Sequence, residues 1–144
     1  MYAALRAIPI PDELVARFFH AASLLREHRG DGHIAALMIE GVGGLEAHVL
    51  FALDMNMPAD KFGRIHHLPA AQLAAVIDGM RDRGLIADDS WLSEQGRAVK
   101  RRVESLTDNL AARPYESLEP SEVNELMDTL QPLATLLLAA QDFG

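Results

Sequence analysis

The sequence predicts a mainly α-helical fold with one small β element, and three observations carry that expectation. Apolar residues recur at three- and four-residue steps along most of the chain, the period of a helix buried on one face. Proline, glycine and short polar residues punctuate those stretches where helices start and stop. Between Leu85 and Leu92 the helical period lapses, and two β-compatible pairs, Leu85-Ile86 and Trp91-Leu92, flank Ala87-Asp88-Asp89-Ser90. A helix pair, a minimal hairpin and then long helices give the order of a winged helix-turn-helix domain.

Pro9 and Pro11 predict an extended N-terminal segment over residues 1–11. A helix follows from about Asp12, with Leu14, Val15, Phe18, Phe19, Ala22 and Leu25 on its apolar face and Gly30 as its stop. Asp31 is placed to cap a second helix that ends near Glu40, before Gly41, Gly43 and Gly44. A third helix spans about Leu45 to Met55. Pro58 opens a short helix ending near Arg64, and Pro69 opens the next, which ends at Gly84. Ser93 caps a long helix with Val99, Val103, Leu106 and Leu110 on one stripe, and Pro114 ends it. The last helix, about Pro120 to Ala140, is expected to kink at Pro132. Its final turns are apolar nearly all round and need more than one surface to bury against. The expected domain is therefore residues 12–144, with N-terminal helices over 12–57, the helix pair and wing over 58–92, and dimerisation helices over 93–144.

Composition narrows the function. The 144 residues suit one domain, and the absence of cysteine excludes a disulfide framework, a thiolate metal site and a cysteine nucleophile. The N-terminus lacks the long apolar core of a signal peptide, and no apolar run reaches the ~20 residues of a membrane span, so a cytoplasmic protein is expected. The net charge is −8, unevenly spread. Residues 1–57 hold four Lys/Arg against seven Asp/Glu, residues 58–113 nine against eight, and residues 114–144 none against six. The middle segment is the part whose charge suits DNA.

Two stretches carry a family resemblance. One is Leu24-Leu25-Arg26-Glu27-His28-Arg29-Gly30-Asp31-Gly32-His33, with Gly44-Leu45-Glu46-Ala47 after it. The other is Met80-Arg81-Asp82-Arg83-Gly84-Leu85-Ile86, followed by Trp91-Leu92-Ser93-Glu94-Gln95-Gly96-Arg97. Together they resemble an actinobacterial helix-turn-helix family related to the MarR regulators, and in particular the C-terminal half of its longer members. The resemblance implies a winged-helix fold and little about activity; the leading expectation is a homodimer that binds double-stranded DNA and responds to a small-molecule effector, bound as in MarR-like proteins near the junction of the dimer helices and the DNA-binding lobe. Three features depart from the pattern, one being Arg64-Ile65-His66-His67 where relatives usually carry Arg-Gly-Trp. The wing tip is Asp88-Asp89, which repels phosphate, and the recognition helix is rich in alanine.

On this reading the DNA contacts come from Gln72, which suits adenine, and from Arg81 and Arg83, which suit guanine or phosphate. Arg97, Lys100 and Arg101 share a helix face and either touch the DNA backbone or pair with the acidic last helix. The effector site draws on His20, Arg26, His28, Arg29, Asp31 and His33. For Arg26 and Arg29 the competing role is a structural ion pair with Asp108. The cluster Glu27, His28, Asp31 and His33 has ligand-type side chains but no standard metal spacing, so no metal or cofactor is expected, and an enzyme using this cluster is a third reading with no catalytic residue assigned. The alternative function is a winged-helix protein that has lost DNA binding and serves as a ligand-binding or protein-interaction module.

Overall fold

The computed structural model describes residues 1–61 and 67–140. These form two compact units, Met1–Ala111 and residues 112 onward.

The first unit holds five α-helices: α1 (Tyr2–Arg6), α2 (Leu14–Ile39), α3 (Gly44–Asp54), α4 (Ala70–Asp82) and α5 (Glu94–Ala111). A 3-10 turn, Ala59–Lys61, lies between α3 and α4. Its centre is α3, whose Val49, Leu50, Ala52 and Leu53 are all buried. Met80 of α4, Val99 and Val103 of α5, Ala36 of α2, and Leu85, Ile86 and Leu92 complete the core around it. The most extensive packing is between α2 and α5. Those two run antiparallel, because Arg29 reaches Asp108 while Glu40 reaches Arg102.

The N-terminal segment is not extended throughout, as its prolines suggested. Residues 2–6 form α1, which lies against α2 through a tilted Tyr2–His28 ring contact at 4.9 Å. The Met1 ammonium pairs with Asp31 at 3.3 Å, and the Tyr2 N–H donates to the same carboxylate. Asp31 is therefore held by α1 and is no helix cap. The break expected at Gly30 is also absent, and α2 runs unbroken for 26 residues. Gly32 explains why a glycine sits inside it. A Cβ there would stand 3.1 Å from Leu110 Cβ, so the missing side chain lets α5 approach closely. The true start of α2 is capped by Glu13, whose carboxylate accepts from the N–H groups of Val15 and Ala16 at 3.0 and 2.7 Å. Those two bonds hold its pKa below the usual value.

The wing is overturned. No β-strand occurs among the described residues, and the expected hairpin reduces to one isolated antiparallel bridge between Ile86 and Leu92. The reason is length and burial. Gly84, at φ +73°, ends α4, and Ser93 begins α5 by accepting from the Gly96 N–H, which leaves eight residues for the whole excursion. Within them Leu85, Ile86 and Leu92 are each 3% exposed or less. They are core plugs, and they do not alternate as a half-buried ladder would. Among the described residues the fold is mainly helical, without a winged element. The expected short helix from Pro58 to Arg64 extends outside the described residues.

The second unit holds a 3-10 turn, Arg113–Tyr115, and α6 (Pro120–Ala140). α6 continues across Pro132, the expected kink position. Among the described residues no single helix is long and apolar enough to cross a membrane.

Candidate functional site

Local sequence sets the geometry of the first unit. After α2 the chain turns through Glu40, Gly41, Val42 and Gly43, with Gly41 at φ +64°, and α3 leaves at 97° to α2. Two helices at roughly 90–120° across a three- or four-residue, glycine-containing turn form a helix-turn-helix unit. The turn is braced from α4. Arg83 Nη1 donates to both carboxylate oxygens of Glu46, at 2.9 and 3.1 Å, and Nη2 donates to the Gly41 carbonyl at 2.9 Å. Glu46 in turn accepts from the Gly43 N–H at 2.8 Å, closing the start of α3.

α4 packs inward through Met80, with Leu73, Val76 and Ile77 half-buried beside it. Ala70, Ala71, Gln72, Ala74 and Ala75 stay exposed, as do Asp78 and Asp82. Of the six residues expected to touch DNA, three are engaged within the protein. Arg81 pairs with Asp78 at 2.7 Å. Arg83 braces the turn. The Lys100 side chain is only 12% exposed, bonded to Glu104 and 3.9 Å from Asp54. Gln72, Arg97 and Arg101 are exposed, and none has an ion pair or hydrogen bond from its side chain among the described residues. Trp91, 38% exposed, lies between an apolar cavity of about 270 Å3 and a more polar one of about 310 Å3 lined in part by Asp54, Asn56 and Arg97.

The residues expected to hold an effector do not gather round one point. His20 is half-buried on α2. Arg26 is largely exposed and bonded to Glu27 at 3.0 Å. His28 sits against Tyr2, with Nε2 enclosed and without a hydrogen-bond partner among the described residues. Arg29 pairs with Asp108 at 3.1 Å and with Glu104 at 3.4 Å. Consecutive helical residues point about 100° apart, which disperses the run Glu27 to His33 around the helix. Among the described residues no three His, Asp or Glu side chains come together to hold a metal ion.

His33 has the best-defined surroundings of this set. Its Nδ1 lies 3.0 Å from the hydroxyl of Thr107, a fully buried residue. That hydroxyl donates its proton to the Val103 carbonyl at 2.7 Å, so its oxygen accepts and His33 Nδ1 carries the hydrogen. The imidazole borders a niche of about 30 Å3 beside Lys100 and Glu104. Burial lowers the His33 pKa; Glu104 opposes this, and Arg29 and Lys100 reinforce it. Burial also pushes the Glu104 carboxyl up, but the bond from Lys100 and the charges of Lys100, His33 and Arg29 outweigh it, and its pKa is lowered. The bond from Arg102 to Glu40, with oxygens at 2.7 and 3.0 Å, likewise lowers the Glu40 pKa and raises that of Arg102.

A helix-turn-helix family model matches residues 1–144. The chain belongs to that helix-turn-helix family. Neither the curated proteins nor the solved structures provide a match. The expected membership of the MarR-like winged-helix family does not stand. The matching helix-turn-helix model spans the whole of residues 1–144, no MarR-specific motif is matched, and there is no wing among the described residues. The helix pair expected within residues 58–92 lies partly outside the described residues, and the break expected at Gly41, Gly43 and Gly44 is the α2–α3 turn.

Proposed function

We propose that the protein is a cytoplasmic DNA-binding transcriptional regulator that presents α4 to the major groove. The outer face of α4 carries the proposal. A helix that enters a groove must pack by one stripe and leave the opposite stripe free, as α4 does with Gln72 and four exposed alanines. α3 is too deeply buried for that role. Gln72 would address adenine, with the alanines against thymine methyl groups, and Arg97 and Arg101 would hold phosphates. Arg83 would serve by fixing the end of α4 to the α2–α3 turn. The reading does not call on an effector at Arg26 to His33, where Arg29, Asp31 and His33 already have protein partners.

A second reading rests on charge. Asp78 and Asp82 on α4, with Asp88 and Asp89 in the turn beyond it, are all exposed. Such a face suits a protein partner better than phosphate, so the helix-turn-helix would then be an interaction module. Fluorescence anisotropy on a pool of genomic duplex fragments at two salt concentrations separates the two readings. Selective binding that persists at the higher salt and is lost in Gln72→Ala supports the regulator. Binding no tighter than the non-specific level, and unchanged in Gln72→Ala, rejects it.

A further inference from the structure

The start of α2 bears an apolar surface that nothing in its own unit covers. Leu14, Val15, Phe18 and Phe19 are 75, 70, 44 and 72% exposed, and Ile8 and Ile10, in the segment leading into the helix, are 50 and 70% exposed. The geometry explains why the surface exists. α2 is 26 residues long and α5 only 18, and the last turn of α5 meets α2 at Gly32, where a Cβ would stand 3.1 Å from Leu110. At a rise of ~1.5 Å per residue, α2 therefore projects roughly 25 Å beyond that contact.

We infer that this projecting end of α2 is the interface through which two copies of the chain associate. Two arguments favour a second copy as the occupant. The first is size. The six exposed apolar residues leave on the order of 700 Å2, close to the ~800 Å2 that each partner contributes to a stable protein interface. The second is charge. Two of the three charged side chains of this stretch are turned back onto their own chain. Glu13 caps α2 through Val15 and Ala16, and Arg17 donates to the Pro11 and Asp12 carbonyls at 3.0 and 2.9 Å. A two-fold axis brings like against like, so a self-associating patch must not set unpaired charges face to face. Among the described residues only the Asp12 carboxylate of this stretch has no such bond, so the patch is mainly apolar and sets few free charges face to face. The inference uses no residue of α4 and is read without DNA, so its failure and that of the regulator reading are separate outcomes.

Sedimentation velocity over a thousandfold range of concentration tests it, with far-UV circular dichroism as the control for folding. The wild-type chain is expected to run as a dimer, at twice its 15.8 kDa. Phe19→Glu, at a largely exposed position, is expected to keep the helical spectrum while its dimer dissociation constant rises by at least ~100-fold, as for the loss of a central interface anchor. Met38→Glu, at an exposed apolar position near the other end of α2, is expected to remain dimeric. A wild-type chain that stays monomeric overturns the inference. So does a dimer that survives Phe19→Glu or is broken by Met38→Glu, since either result places the contact on a different surface.

Discussion

Gly96 lies where the first turn of α5 crosses the chain leaving α4, and its replacement by alanine tests how tightly that crossing is built. An ideal Cβ there would sit 2.1 Å from the Leu85 carbonyl oxygen, 3.1 Å from its carbon and 3.3 Å from Leu92 Cδ2. Relieving the first contact needs a separation of roughly 1 Å, and both sides are backbone in a close-packed interior. Neither side is free to move. The Leu85 carbonyl accepts from the Ser93 N–H at 3.0 Å, while the Ser93 hydroxyl donates to the Gly84 carbonyl at 2.6 Å and accepts from Gly96 N–H at 2.9 Å. The shift would lift α5 from Leu85, Leu92 and Val99, which are 2, 3 and 6% exposed. Overpacking costs ~1–3 kcal/mol and each lost hydrogen bond ~1, against ~1 kcal/mol gained by placing alanine in a helix, so a net loss of about 2–4 kcal/mol is expected. With a urea m-value of ~2 kcal/mol/M the midpoint falls by roughly 1–2 M. Trp91, the single tryptophan, reports on this unit by fluorescence. Gly30→Ala is the control, because no atom lies within 4 Å of its Cβ position and the same change inside α2 should stabilise by ~0.5–1 kcal/mol. Equal midpoints for Gly96→Ala and wild type would refute the close-approach argument.

Ser90 holds φ +69° in the turn beyond α4, a conformation that costs a residue with a Cβ ~1–2 kcal/mol, so Ser90→Gly is expected to raise the melting temperature by a few degrees in a calorimetric scan. The pH dependence follows from His33. Its folded pKa lies below the unfolded value, so the unfolded chain binds the extra proton and stability declines as pH falls through about 6.5 toward the folded value. The Glu104 carboxyl, also lowered, removes further stability as pH falls through the carboxylate range. Urea midpoints measured from pH 8 to pH 5 should decline less in His33→Gln than in the wild type, and parallel curves would show that His33 is not the group responsible.

The helices were legible because an apolar face, covered or not, leaves a period in the sequence. Leu14 to Leu25, Leu73 to Met80 and Val99 to Leu110 were all read as helical from their spacing alone. Glycine was not legible in the same way. Gly30 looks like a stop and Gly32 like the start of a new helix, yet Gly32 is a packing site for Leu110, and the difference depends on a residue nearly eighty positions away. The wing failed for a related reason. Leu85-Ile86 and Trp91-Leu92 have strand-type composition, but composition does not count the residues left over once Gly84 and Ser93 have fixed the two helix ends. The resemblance to MarR-like proteins rested in part on that hairpin, and the correction follows from it.

Ion pairing was legible where Arg29 meets Asp108 and not elsewhere, and it shapes what the regulator reading must now predict. Arg83 finds Glu46 across 37 positions and Arg102 finds Glu40 across 62, so no local pattern could show which arginines were already committed. Among the described residues of the first unit, Arg97 and Arg101 are the cations left without an ion pair, hydrogen bond or ring contact. Each phosphate neutralised contributes about −0.9 to the slope of log K against log salt, so two cations per chain give a slope of roughly −2, and a two-fold pair about −4. Arg97→Ala should make the slope shallower by about 1 per chain, whereas Arg83→Ala should weaken binding and leave the slope unchanged, because its guanidinium braces α4 and touches no phosphate. Anisotropy titrations between 50 and 200 mM salt measure both. A shallower slope in Arg83→Ala, with none in Arg97→Ala, would mean that the brace opens on DNA and that the internal pairs are a reserve of phosphate contacts.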